Sequence, residues 1–290
     1  MSEDDGSLVP SIQLSNTVEL PAIGLGTFKA RGSSLKAIIC CALKCGIRHI
    51  DTASVYKNES EIADAVEASK VPREDIFITS KIGPTQQGTV KAQLACDEIL
   101  QRLRINYVDL VLIHWPGVAK LEVKSPRNAT KRLETWRVLE RFYRSGRVRA
   151  IGVSNYEQRH LQELLDCASI KPMVNQIEVH PRFSQKGLRA FCKQQNIAIV
   201  AYTSLGCGAL LSHNTIQQIA QQCGQTPAQV LLRWGLQQGC AVIPKTTHEE
   251  YLRQYTEAKL LSWRLSAEQM QALEALNDGH KYCWNPAPVR

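Results

Sequence analysis

The chain has 290 residues, 44% hydrophobic and 21% charged, a composition that can bury a large core and excludes an intrinsically disordered chain. Its formal net charge is +8, but ten Lys or Arg against three Glu in residues 120–150 leave +7 there, so the charge is local and does not form a general nucleic-acid surface. No run approaches the roughly 18 apolar residues a spanning helix needs, and the first ten residues, MSEDDGSLVP, carry neither a basic nor an apolar leader, so a cytoplasmic protein off the membrane is expected.

Ten cysteines form no CxxC pair, and a chain of this length needs no disulfide staples, so they read as reduced thiols. None pairs with a second Cys or a His at zinc-closing spacing, and no metal is expected. Two sequons, Asn58-Glu59-Ser60 and Asn128-Ala129-Thr130, are then chance matches.

In chain order, residues 12–14 and 18–20 flank Ser15-Asn16-Thr17 as a small β-hairpin, expected to plug the bottom of the barrel that the later strands form. Short β-branched apolar runs then recur at 23–28, 49–53, 76–82, 108–114, 148–153, 174–179, 197–202 and 242–244. Between them, apolar residues fall at helical spacing, as in Leu35-Ile38-Ile39-Ala42-Leu43 and Leu133-Trp136-Leu139-Tyr143. Strand and helix alternate throughout, and VDLVLIH and IAIVAY read as parallel strands buried on both faces.

Eight such units over about 250 residues predict a (β/α)8 TIM barrel. A doubly wound sheet is the rival, but Gly24-Leu25-Gly26 is not followed by the third glycine of its phosphate-binding turn. With no linker in the chain, a single domain over 1–290 is expected, the barrel running from about 21 to 277. Ser266-Ala267-Glu268-Gln269 predicts a capping box and a helix to Leu276, followed by a short irregular C-terminal flap over 278–290.

Barrel chemistry gathers where strands end in βα loops. Asp51 closes the second run with Tyr56 in the loop behind it, Lys81 closes the third, and His114 closes the fourth. Each has an ordinary explanation alone: a helix cap, a packed ring, a solvated cation, a satisfied core histidine. Together they form an acid–base apparatus. A Lys ammonium beside a phenol favours the phenolate and draws the usual value of ~10 toward neutrality, the Asp keeps that Lys charged, and the His orients a carbonyl oxygen.

The segments GLGTF, HIDTASVYKNE, IFITSK, VDLVLIHWP, IGVSNY, VNQIEVHP, AYTSLG and IPKT, in this order from about Leu20 to Asn277, resemble the aldo-keto reductases. The resemblance implies an oxidoreductase that passes hydride between NADP(H) and a small carbonyl compound or alcohol. Its catalytic tetrad falls on Asp51, Tyr56, Lys81 and His114, with Tyr56 as general acid. It places nicotinamide carboxamide contacts on Ser154, Asn155 and Gln176, and a ring that stacks on the nicotinamide at Tyr202. Thr27, Asp51, Thr203, Leu205, Lys245, Thr246 and Thr247 complete the implied cofactor track. Phe28 and Trp115 join Tyr56 and His114 as pocket walls, since Pro116 ends the strand and turns Trp115 to the mouth.

Three departures from the family pattern carry expectations. Gly83 stands where many members have Trp, so that wall is expected to be open. Residues 206–212 are a short loop, as in small reductases of broad aldehyde range. Tyr251, Gln254 and Tyr255 replace the usual Arg and its polar neighbours at the adenosine clamp, so Tyr251 is expected to stack on adenine, Arg253 to compensate in part, and NADPH to be preferred over NADH by a reduced margin. A monomer is expected. The competing function is a cofactor-occupied sensor or regulatory subunit with little turnover, which the complete tetrad disfavours.

Overall fold

The computed structural model describes residues 11–290; the leader reading of residues 1–10 lies outside the described residues. Strands β1 (Ser11–Gln13) and β2 (Glu19–Pro21) pair antiparallel with Ile12 opposite Leu20. Asn16 in their turn donates from Nδ2 to the Arg149 carbonyl at 2.8 Å. That residue lies at the start of a barrel strand, so the hairpin sits on the N-terminal end of the barrel, with Leu14 and Leu20 in the core.

Eight parallel strands come next: β3 (Gly24–Gly26), β4 (His49–Asp51), β5 (Phe77–Ile82), β6 (Val108–Ile113), β7 (Val148–Ser154), β8 (Val174–Glu178), β9 (Ala198–Tyr202) and β10 (Cys240–Val242). They pair in sequential order. The last meets the first through Val242 N donating to Ala22 O at 2.8 Å and Gly26 N donating to Pro244 O at 3.0 Å, which closes the barrel. Gly26 is required at this seam, because a Cβ there would lie 2.8 Å from the Ile243 carbonyl oxygen.

Helices α1 (Gly32–Lys44), α2 (Glu59–Ser69), α3 (Thr89–Leu103), α4 (Arg127–Arg144), α5 (Gln158–Cys167), α6 (Lys186–Gln194), α7 (Asn214–Cys223) and α8 (Pro227–Gln237) lie between strands. Beyond β10 come α9 (Glu249–Leu252), α10 (Glu257–Leu260) and α11 (Ala267–Glu274). The expected capping box is present: Ser266 Oγ accepts from Gln269 N at 3.2 Å, and Gln269 Oε1 accepts from Ser266 N at 3.0 Å. The helix it opens ends two residues short of the expected Leu276. The first and last strands are also displaced from their predicted limits. Thr27 and Phe28 leave β3, with Lys29 at a φ of 59° beyond them, and Pro244 has no N–H with which to extend β10.

The basic run is not one solvated face. Arg132 on α4 is 2% exposed and gives one nitrogen to both carboxylate oxygens of Glu163, at 2.8 and 2.9 Å. Its other nitrogen reaches the Pro116 and Arg290 carbonyls at 2.9 and 2.8 Å, so this cation ties α4, α5 and the tail together. Lys131, Arg147 and Arg149 pair with Glu134, Asp97 and Asp109. The tail is anchored at both ends: Glu178 accepts from Tyr282 N at 2.6 Å, and His160 Nε2 lies 2.7 Å from the Val289 carbonyl oxygen. Among the described residues no helix is long and apolar enough to cross a membrane, and no cluster of His, Cys, Asp and Glu has the makings of a metal site.

Candidate active site

Asp51 is the last residue of β4, and Lys81 lies in the neighbouring β5, so the parallel ladder brings their side chains together at the C-terminal rim. The Lys81 side chain is fully buried, and its Nζ donates to Asp51 Oδ1 at 2.7 Å and to the Thr52 carbonyl at 2.8 Å. Tyr56 ends a 3-10 turn over Ser54–Tyr56. That turn is held by the Ser54 hydroxyl on the Lys81 carbonyl at 2.8 Å and by Arg31 donating to the Tyr56 carbonyl at 2.9 Å. The Tyr56 ring centroid lies 5.3 Å from Lys81 Nζ, 5.7 Å from the His114 ring and 5.1 Å from the Phe28 ring.

His114 is one residue past β6, still tied to the ladder by its N–H on the Ile82 carbonyl at 3.0 Å. Its Nδ1 is buried without a partner, which leaves Nε2 as the ring atom available to a ligand. Burial, with the Lys81 charge adding to it, pushes the imidazole down to about 3, so it is neutral at physiological pH. Burial also lowers Lys81, against the pull of Asp51.

The phenol departs from the sequence expectation. Burial first, and then the negative charges of Asp51 and Cys283, push Tyr56 above the ordinary phenol range. The reason is geometric: the Lys81 charge is directed at Asp51 and is largely neutralised there, so desolvation of the phenolate decides the balance. Tyr56 is therefore a protonated phenol at physiological pH.

A second hydrogen-bonded group adjoins the first. Ser154 closes β7 and donates from Oγ to the Gln176 carbonyl at 2.8 Å. Asn155, at a φ of 64°, donates from Nδ2 to the His114 carbonyl at 2.9 Å and to Ser154 Oγ at 3.0 Å. Tyr202 ends β9, and its hydroxyl donates to Asn155 Oδ1 at 2.5 Å. Gln176 in β8 donates from Nε2 to Asp51 Oδ2 at 2.7 Å, so one carboxylate bonds the Lys of the first group and the amide of the second. Burial raises Tyr202 well above the usual phenol range.

The remaining cofactor candidates are dispersed along the rim. Thr27 is buried beneath Asp51, its hydroxyl on the Asp51 carbonyl at 2.9 Å. Thr203 and Leu205, both half-buried, follow β9, Thr203 at a φ of 55°. Past β10, Lys245 is exposed, Thr247 half-buried, and buried Thr246 accepts from His248 N at 3.0 Å. Tyr251 stands half-exposed against the His248 ring at 5.3 Å. Gln254 and Tyr255 turn inward, Gln254 bonding Thr226 at 3.0 Å and Tyr255 joining the core, so neither faces the rim. Arg253 is occupied outward by Glu249 at 3.4 Å rather than turned in as a compensating cation.

Of the residues expected as pocket walls, Phe28 is exposed and Trp115 half-buried, and Trp115 meets Trp284 of the tail edge-on at 6.3 Å. Nothing periodic in the tail sequence places Trp284 beside Trp115; only the fold does. The wall expected to be open at Gly83 is partly filled. A Cβ on Gly83 would lie 2.5 Å from Val55 Cγ1, so Val55 takes space that a larger residue at 83 would need.

A sequence model of the Aldo/keto reductase family matches residues 22–278. The chain is 43% identical over 281 residues to the glyoxal reductase of Bacillus subtilis (strain 168), covering 97% of each chain. It is 38% identical over 279 residues to the 9,11-endoperoxide prostaglandin H2 reductase of Trypanosoma cruzi (strain CL Brener), covering 95% of this chain and 94% of that one. Among solved structures, MGS-M4, an aldo-keto reductase enzyme from a Medee basin deep-sea metagenome library, superposes with a TM-score of 0.87 at 37% identity, covering 95% of this chain and 98% of the other. The match spans every barrel strand, from just before β3 to just past α11, and the chain belongs to the aldo/keto reductase family.

Proposed function

We propose that this protein is an NADPH-dependent carbonyl reductase that reduces aldehydes or ketones to alcohols, with Tyr56 as the proton donor. The observation that carries this reading is the buried Lys81–Asp51 pair set beside the Tyr56 ring, with a neutral His114 across from it. The residues present fit a nicotinamide: the Tyr202 ring offers a flat face, Gln176 is bonded to Asp51 through Nε2 and keeps its carbonyl oxygen for a carboxamide, and Ser154 and Asn155, bonded to each other and to Tyr202, would exchange those bonds for ones to it. Lys245 and Thr247 offer charge and a hydroxyl to a 2′-phosphate, with no carboxylate in 245–248.

When bound, the reduced nicotinamide supplies a hydride to the carbonyl carbon. The residues of this chain handle the oxygen. His114 holds the carbonyl oxygen through Nε2–H, and Tyr56 passes its hydroxyl proton to that oxygen as charge builds on it. The phenolate left behind lies beside a Lys81 charge, 5.3 Å from Nζ to the ring centroid, that Asp51 largely neutralises, so it remains a strong base and takes a proton back from solvent. Asp51 keeps the ammonium charged and aimed. The high resting phenol pKa keeps the proton in place until the developing alkoxide, a stronger base, is there to accept it.

Phe28, Val55, Trp115 and Trp284 make the mouth apolar, which suits carbonyl compounds with an apolar or aromatic body. We take the chain as one barrel unit acting as a cytoplasmic monomer; its ten unpaired thiols are what a reducing compartment leaves. The test is aldehyde-dependent loss of NADPH absorbance across a panel of small aldehydes. Binding of NADPH with no turnover on any of them would favour the sensor reading instead.

A further inference from the structure

Past His114 the chain leaves the barrel ladder, and its backbone groups must find other partners. The His114 N–H still donates to the Ile82 carbonyl at 3.0 Å, but Pro116 has no N–H to offer, and the carbonyls that follow are taken by side chains. Asn155 donates to the His114 carbonyl and Arg132 to the Pro116 carbonyl, each at 2.9 Å. Gln87 takes the other two: its Nε2 donates to the Trp115 carbonyl and to the Gly117 carbonyl, both at 2.8 Å. Val118 N then donates to Asn128 Oδ1 at 3.0 Å. The turn over 115–117 is thus shaped by side chains from distant parts of the chain rather than by a neighbouring strand.

Gln87 lies between β5 and α3 and is 3% exposed. Its amide nitrogen spends itself on this one turn, while its Oε1 is buried without a partner. Turning the amide over would set that oxygen against two carbonyl oxygens, so the two acceptors fix its orientation at the cost of the unpaired atom. The clamped turn lies under the Trp115 indole. A Cβ on Gly117 would lie 3.2 Å from Trp115 Nε1, 3.3 Å from its Cδ1 and 3.4 Å from Val289 Cγ1, so the indole folds back over Gly117 and a shift of the turn moves the ring. His114 is held separately, by Ile82 at its N–H and Asn155 at its carbonyl.

We propose that Gln87 is a positioning residue that sets the Trp115 indole and, through it, how well the site discriminates aromatic aldehydes from short aliphatic ones. An aromatic aldehyde offers the indole a flat apolar face, whereas propanal offers it little area. Loss of the clamp frees the turn and costs the aromatic substrate its contact, while His114, tied on both sides by other groups, keeps its place over the carbonyl oxygen. The discrimination therefore changes through substrate binding and not through the proton transfer. The placement of the indole stands whatever reaction the site runs; its effect on turnover rests on the reading above.

The experiment compares the full-length wild type with Gln87→Met, which keeps the length of the side chain and loses both donated bonds. Gln87→Asn, which keeps the amide but draws it back by one carbon, serves as the milder variant should the Met protein not fold. The first readout needs no turnover. Isotope-labelled protein gives one indole N–H resonance for each of its five tryptophans, with that of Trp115 assigned by Trp115→Phe. Either Gln87 variant should move the Trp115 resonance and leave those of Trp136 and Trp234, buried in the core, in place. The second readout is kinetic: kcat/KM for benzaldehyde should fall about tenfold in Gln87→Met, mostly through KM, while that for propanal changes by less than about twofold. In a Trp115→Ala background the same substitution should change the ratio of the two no further. An unmoved Trp115 resonance, core resonances that move along with it in both variants, an equal fall for the two aldehydes, or a further loss in the Trp115→Ala background would each overturn the proposal. Absence of turnover on any aldehyde, with the Trp115 resonance moved as expected, would count against the reductase reading alone.

Discussion

Replacing Asp51 by Asn removes one charge and leaves the shape. The carboxylate is buried, and its two oxygens are taken by Lys81 Nζ and Gln176 Nε2, each at 2.7 Å. An amide presents one oxygen to these two donors, so the fully buried Lys81 ammonium is left with the Thr52 carbonyl and no counter-charge. Breaking a buried pair in this way costs ~3–5 kcal/mol while the remaining ion stays charged. Lys81 has an escape, since burial already holds its folded pKa below the unfolded value of 10.5. Between those two values the unfolded chain binds more protons than the folded one, so stability rises with pH through that window and is lost as pH falls through it. Loss of Asp51 lowers the folded value further and extends the window downward. The deficit of Asp51→Asn is therefore largest where both proteins keep the Lys81 proton, and shrinks as pH rises between their two folded values. Urea unfolding from about pH 6 to about pH 10 measures it. A deficit below ~1 kcal/mol at neutral pH, or one constant across the range, would refute this reasoning.

The remaining predictions concern catalysis and specificity. With His114 held down to about 3, kcat/KM should show no histidine break between about pH 5 and about pH 8; a break in that range that vanishes in His114→Gln would contradict the neutral imidazole. Lys245→Ala should erase most of the NADPH preference in the kcat/KM ratio for the two cofactors, whereas Tyr251→Arg should sharpen it, because an exposed guanidinium would be added on the rim that carries Lys245. A wild-type preference for NADH would overturn that assignment. Lys120, Lys124 and Arg127 are exposed on the loop after β6 and at the start of α4, so aldehydes bearing a carboxylate should lose more kcat/KM with added salt than neutral analogues; equal salt dependence would mean that the loop is merely solvated.

The barrel is legible in the sequence because parallel strands buried on both faces read as unbroken apolar runs, and all six residues of β6 are buried as VDLVLI suggests. The strand-end rule likewise places Asp51, Lys81 and His114 at the C-terminal rim to within one residue: Asp51 ends β4, Lys81 is one residue short of the end of β5, and His114 is one residue past β6. What escapes the sequence is contact across distance. Gln176 meets Asp51 across 125 positions, and Tyr282 meets Glu178 across 104, and no spacing encodes either. The direction of the Tyr56 shift also escapes it, because that direction depends on where the Lys81 charge is directed and how dry the phenol is. Arg132 reads as one more cation in a basic run until the fold buries it on Glu163. Gln254 and Tyr255 follow a four-residue α9, too short to carry a periodicity that would reveal their inward turn.

The central claim is that the Tyr56 hydroxyl delivers the proton to the carbonyl oxygen. Tyr56→Phe removes that atom and leaves the ring, which packs on Phe28 and His114, in place. Single-turnover oxidation of bound NADPH by an aldehyde, with NADPH affinity measured alongside by fluorescence, isolates the step. The account predicts that the Phe variant binds NADPH nearly as the wild type does and transfers hydride ~100 to 10,000-fold more slowly, the usual worth of a positioned general acid. A Phe variant that keeps more than about a third of the wild-type single-turnover rate, far above that range, would contradict it.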